Sequence, residues 1–312
     1  MDCRRYAYAV ASVREAENTL LSASFFEQLL QTPTYDASCS LVRDKGIDEN
    51  ALDKIVSDAW EYLCETAPDK KELEFLTVKN DFHNLKVVLK SMVTGNNADK
   101  NYITPCLTDP AELKKHVEEK NFDLLPDWIS DAAAEAYNLI TSTADGRLTD
   151  IFIDKCSLEA TVRLAKGNPF SEKLADMTSS LANIRIAARA ALTGIGEKIN
   201  DILFARGCEI DAEGMVRAVN KGVDSVKEFV MNSSYSYLAE YITDFASLEK
   251  ACDKAIAEFI GDASRVSFGL DPIAAYYIRI ETEVKNLRLI LRAKHASLPE
   301  DIIKERLRDV YV

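Results

Sequence analysis

Three stretches decide the fold: Asn84-Leu85-Lys86-Val87-Val88-Leu89-Lys90, Asn183-Ile184-Arg185-Ile186-Ala187-Ala188-Arg189 and Asn286-Leu287-Arg288-Leu289-Ile290-Leu291-Arg292. Each reads Asn, aliphatic, basic, three apolar or small residues, basic. The copies lie 99 and 103 residues apart in a chain of 312. A fixed period of this kind signals one structural module used repeatedly. Here it divides the chain into units of 1–103, 104–205 and 206–312.

Outward from each copy the pattern is helical. Asp271-Pro272 precedes Ile273, Tyr277, Ile280, Val284, Leu287 and Leu291, whose steps of three and four trace one apolar face. That helix is expected to be capped by Asp271 and to end near Ser297, before Pro299. A short capped helix opens each unit. Ser22 stands before Phe25, Phe26, Leu29 and Leu30, Asp109-Pro110 before Leu113 and Val117, and Asp211 before Met215, Val216 and Val219. A polar connection and two longer helices then follow. The middle helix of each unit is predicted at Ile55–Leu63, Ile129–Ile140 and Leu248–Ile260. One further helix is expected from Tyr6 to Leu20, and a last amphipathic turn or two over Asp301–Val310. No alternation long enough for a strand occurs, so the fold class is all-α.

Composition narrows the function. Apolar residues at 47% and charged residues at 29% are the balance of an ordinary globular protein. No run nears the roughly 18 apolar residues of a membrane span, and the start of the chain lacks the apolar core of a signal peptide. The formal charge of −13 repels phosphate backbones, which argues against nucleic acid. The seven cysteines form no CxxC pair, which leaves neither a zinc site nor a redox pair and fits buried thiols in a reducing compartment.

Catalytic signatures are missing. There is no phosphate-binding GxxxxGK[ST]; Gly194-Ile195-Gly196-Glu197-Lys198 lacks both its spacing and its hydroxyl. His83, His116 and His295 stand alone, without a second ligand at helical spacing. No catalytic residue, metal ligand or cofactor is therefore expected. The cations of the repeat are the candidate site: Lys86 with Lys90, Arg185 with Arg189, and Arg288 with Arg292. Like charges four residues apart on a helix repel by a few tenths of a kcal/mol, so something must compensate. One reading has each pair held by carboxylates of an adjacent helix in its own unit. The other is a three-fold basic collar that meets an acidic partner.

Beyond these residues, the chain resembles the C subunit of the bacterial and archaeal V/A-type rotary ATPases, related to the d subunit of the eukaryotic vacuolar pump. The resemblance lies in Tyr6-Ala7-Tyr8-Ala9 through Glu17, in Asp81-Phe82-His83-Asn84-Leu85-Lys86, in Glu283 through Arg292, and in Leu298-Pro299 with Glu305-Arg306-Leu307-Arg308. The second copy departs from it where Ala187-Ala188 replaces bulkier residues. The resemblance implies three similar helical domains in a funnel with pseudo-three-fold symmetry. It implies a non-catalytic subunit on the cytoplasmic face of the membrane, held there by its partners. These would be the D and F subunits of the central stalk and the membrane rotor ring. A cytoplasmic helical-repeat scaffold unrelated to ion transport, and an all-α enzyme with an unread site, are the alternatives.

Overall fold

A computed structural model describes residues 3–96, 99–194 and 209–307. Among the described residues the regular structure is helical throughout, without a strand. After α1 (Ala7–Ala16) come three successive sets of four helices. These are α2 (Ala23–Gln31), α3 (Tyr35–Arg43), α4 (Leu52–Thr66) and α5 (Glu74–Thr94); then α6 (Pro110–Glu118), α7 (Ser130–Thr143), α8 (Gly146–Leu164) and α9 (Pro169–Thr193). The third set is α10 (Ala212–Lys221), α11 (Val223–Met231), α12 (Phe245–Ser264) and α13 (Asp271–His295), with α14 (Glu300–Arg306) closing the described chain.

Each set thus holds two short helices, a long one and the helix of the Asn-basic motif, one helix more than the sequence pattern indicates. Residues 130–140 do fall on a helix, with Ile129 at its cap position, but it is α7. The counterpart of α4 and α12 is α8, which the periodicity does not mark. Its apolar residues make no single stripe: Phe152, Ile153, Cys156, Ala160 and Leu164 face the core, while Leu148, Ile151, Leu158 and Val162, also half-buried, lie on the opposite side. A helix covered on several sides loses the period that marks a surface helix.

The opening helices start where their caps predict. Ser22 Oγ accepts the Phe25 N–H at 3.2 Å, Asp109 Oδ1 those of Ala111 and Glu112 at 2.8 and 3.1 Å, and Asp211 Oδ2 that of Gly214 at 2.8 Å. Asp271 is the exception. It is the first helical residue of α13 and makes no cap bond from the preceding position, which Leu270 occupies. The three motif helices end alike, at a left-handed residue: Gly95 (φ 68°), Gly194 (φ 68°) and Ser297 (φ 54°).

The chain packs as two compact units, residues 1–71 with 253–312, and residues 72–252. In the first, α13 is the central helix and lies against α1, α2, α3, α4 and α14. In the second, α5 packs on α6, α7 and α8, and α9 on α8, α10 and α11. Cys39 and Cys252 are buried free thiols, and Cys64, Cys106 and Cys156 are half-buried ones. Burial pushes the Cys106 thiol up to about 11 and that of Cys156 to about 12, away from the reactive range. The Cys3 side chain, Cys208 and residues 195–198 lie outside the described part, as does the boundary drawn at 205.

The motif asparagines are fully buried, at 0%, 0% and 1% exposure, so their amides need partners. Asn84 shows how this is met: its Nδ2 donates to Ile103 O at 3.1 Å while its Oδ1 accepts the Ile103 N–H at 2.8 Å. Asn80 Nδ2 donates to Pro105 O at 2.7 Å. Asp81 continues the zipper, accepting from Leu107 N–H (2.7 Å), Thr108 N–H (3.3 Å), the Thr108 hydroxyl (2.9 Å) and Trp128 Nε1–H (3.0 Å). Burial pushes the Asp81 carboxyl up, and these donors pull it back. Polar groups of α5 thus hold the irregular segment that leads into α6.

Equivalent work is done elsewhere by different residues. Three positions before Asn286 stands Glu283, whose Oε1 accepts the Leu21 N–H at 3.1 Å, immediately before the cap of α2. Three positions before Asn183 stands Ser180, too short to reach as far. There Asp176, one turn earlier on α9, accepts the Glu209 N–H, two residues before the cap of α10. Replacing Asn84 by Ala strands both backbone groups of Ile103, and urea unfolding should show a loss of about 2–4 kcal/mol.

Candidate functional site

The six cations of the motif occupy matched positions. The first of each pair (Lys86, Arg185, Arg288) is half-buried and the second (Lys90, Arg189, Arg292) is exposed, because the first faces inward from the same helix side in every copy. Lys86 Nζ meets Asp154 Oδ1 at 2.5 Å and Lys90 Nζ meets Asp150 Oδ2 at 2.7 Å, so the pair on α5 lies along a carboxylate pair on α8. Arg288 Nη2 meets Asp53 Oδ1 of α4 at 2.5 Å. Arg189 Nη2 lies 3.8 Å from Glu249 Oε1 of α12, and its guanidinium stacks 4.2 Å from the centre of the Phe245 ring.

For Lys86, Lys90, Arg189 and Arg288 the compensating carboxylate does not come from the same unit of the sequence. Cations in 1–103 meet acids in 104–205, Arg189 meets an acid in 206–312, and Arg288 meets one in 1–103. The acids themselves repeat: Glu49 and Asp53, Asp150 and Asp154, Glu249 and Asp253 are pairs four residues apart, spaced by 101 and 99 residues. Sequence reasoning missed this second motif because single acids on solvated helices are common. Its period, near one hundred residues like that of the cations, was the signal that could have found it. Opposed i, i+4 pairs convert two repulsions into attractions, each worth well under about 1 kcal/mol where water reaches the ions.

Other polar groups form no reaction centre. His83 Nε2 lies 3.2 Å from Asn101 O, and the His295 ring meets Tyr35 edge-on at 5.1 Å. No cluster of three or more His, Cys, Asp or Glu side chains suited to a metal ion occurs among the described residues. A cleft on the first unit holds Arg14 and Arg279, both bonded to Glu17 at 2.8 and 3.1 Å; Arg14 also donates to Val266 O at 2.8 Å. Beside it Glu283 is deprived of water, and burial pushes its carboxyl up to about 7 despite Arg279 nearby.

The arrangement is that of a repeated helical module stapled by charge, and comparison with known proteins places it. The family model described as ATP synthase (C/AC39) subunit matches residues 9–306, nearly the whole chain. The chain belongs to this family. It is 27% identical over 318 residues to the C subunit of the V-type sodium ATPase of Enterococcus hirae, covering 96% of this chain and 97% of that one. It is 23% identical to the C subunit of the A-type ATP synthase of Methanocaldococcus jannaschii, covering 97% and 86%. To the C subunit of the V-type ATP synthase of Thermus thermophilus it is 21% identical, covering 97% and 98%. As a member of the C/AC39 family the chain is a subunit of a rotary ATPase and associates with other subunits of a membrane-bound complex. Among the described residues no helix is long and apolar enough to cross a membrane.

Two measurements check this electrostatic reading. Reversing both cations of α5 (K86E with K90E) should cost about 1–3 kcal/mol of stability, and adding D150K with D154K should restore most of it. For Glu283, the folded chain holds a proton between its raised pKa of about 7 and the ordinary 4.5. The unfolded chain releases that proton, so stability from this group grows as pH falls through this window and is lost above it. Glu283→Gln keeps an acceptor for Leu21 and should flatten that part of the stability profile, a change on the order of 2 kcal/mol.

Proposed function

We propose that the chain is a non-catalytic coupling subunit, a socket on the cytoplasmic face of the membrane between the rotating D–F stalk and the rotor ring. The three units 1–103, 104–205 and 206–312 would stand as a funnel around a pseudo-three-fold axis. One observation carries this reading: the order of the contacts made by the motif helices. Polar groups of α5, α9 and α13 hold the lead-in segments of α6, α10 and α2. Their cations face α8, α12 and α4. First-to-second, second-to-third and third-to-first is the succession expected of three copies around an axis, and not of a linear solenoid, whose end repeats lack a neighbour.

A coupler between a turning shaft and a ring must be stiff, since a soft joint stores torque instead of passing it on. Helices packed to interior density and pinned by buried polar bonds supply that stiffness. Their repeated surfaces suit a ring of identical subunits. The membrane would then be reached only through partner proteins.

The expected behaviour is specific. The purified chain should bind a D–F stalk and hydrolyse no ATP. A complex lacking it should retain ATP turnover in the isolated head and lose ATP-driven ion transport, measured by ion uptake into vesicles. Full transport without this chain would refute the proposal.

A further inference from the structure

Five cations of the motif have an interaction within the chain, and Arg292 has none among the described residues. The register explains the exception. On α5 the first cation takes the second acid of its pair and the second cation takes the first acid, four residues back. By the same register Arg288 takes Asp53, and Arg292 should take Glu49. Glu49 is already occupied. The fork of Arg43, at the end of α3, holds it through Nε (2.9 Å) and Nη2, and its side chain is only 5% exposed. The turn through Gly46, at φ 77°, folds the chain back so that Arg43 and Glu49 meet.

The result is a vacant guanidinium at the rim of a cleft of about 310 Å³. Its lining includes Tyr35, Glu49, Asp53, Arg288, Arg292 and His295. Both carboxylates of that lining are neutralised by arginines, which leaves Arg292, among the described residues, as the guanidinium of the cleft without an acidic partner, in a protein of net charge −13. Just beyond in sequence, Leu298 and Ile302 are each 40% exposed. A free small anion would gain too little here, because a single solvated arginine–anion pair contributes little in competition with water. An acidic side chain carried on a larger apolar contact gains the remainder from its surroundings.

We propose that this cleft, on α3, the start of α4 and the end of α13, receives an Asp or Glu side chain from a neighbouring subunit of the rotary complex, with Arg292 as its counter-ion. The proposal rests on the coupling role above for the nature of the partner. It distinguishes the third copy of the motif, whose second cation is left open, from the first, whose cations are consumed internally. The cleft is thus a docking point that the repeat period alone would not single out.

The test is association of the full-length chain with the remaining purified subunits of the complex, by biolayer interferometry at low and high salt. Arg292→Glu should weaken binding on the order of tenfold at low salt, with an unchanged melting temperature, and the gap should narrow as salt rises. Arg292→Lys should fall between. In parallel, a photo-reactive p-benzoylphenylalanine in place of His295 should cross-link to a peptide containing Asp or Glu, and reversing that acid to Arg should restore binding by the Arg292→Glu chain. Unaltered binding by Arg292→Glu while the wild type binds, or cross-links confined to this chain, would overturn the cleft and leave the coupling role standing. Failure of the wild type itself to associate would overturn both.

Discussion

Two like charges one helical turn apart are a small but standing instability, and this chain places such a pair on each of its three motif helices. The helix alone offers no remedy, since none of the neighbours at three and four residues from these cations is acidic. Relief has to come from another helix carrying acids at the same spacing, so that two contacts form together along facing turns. Lys86 and Lys90 against Asp154 and Asp150 realise this in full. The requirement fixes more than a contact: it sets the register and the direction in which two helices lie side by side.

The buried asparagines add a second, stronger constraint. An exposed ion pair can break and be hydrated, but a buried amide or carboxylate without a partner costs the full desolvation of the group. Asn84, Asn80 and Asp81 therefore hold the irregular segment 103–108 along α5, and the next helix must begin where that segment ends. The charge pairs orient; the buried polar bonds pin. Both kinds of contact link helices distant in sequence, which turns a string of helices into packed units that resist twisting.

Variation among the copies follows the same physics. Where the second copy has Ser180 in place of Asp81, the side chain is too short to span the gap, and Asp176 one turn earlier does the work. Where Glu283 fills that place, its longer carboxylate reaches a backbone N–H but sits in drier surroundings, and its proton is held to about neutral pH. Membership of a rotary ATPase follows from no such detail. It follows from the match of nearly the whole chain to one family.

The sequence by itself determined the helical class, the period near one hundred residues, the caps at Ser22, Asp109 and Asp211, and the pair of cations that marks each copy. These are local or periodic properties, governed by spacing along one chain segment. Only the tertiary structure decided that α8 exists as a separate helix, since an element covered on several sides carries no amphipathic signature. It alone decided which acids answer which cations, because carboxylates are frequent on every solvated helix and charge has no direction in sequence. And it alone decided that Arg43 takes Glu49 and leaves Arg292 open: a competition between two arginines for one carboxylate is settled by the reach of side chains in space.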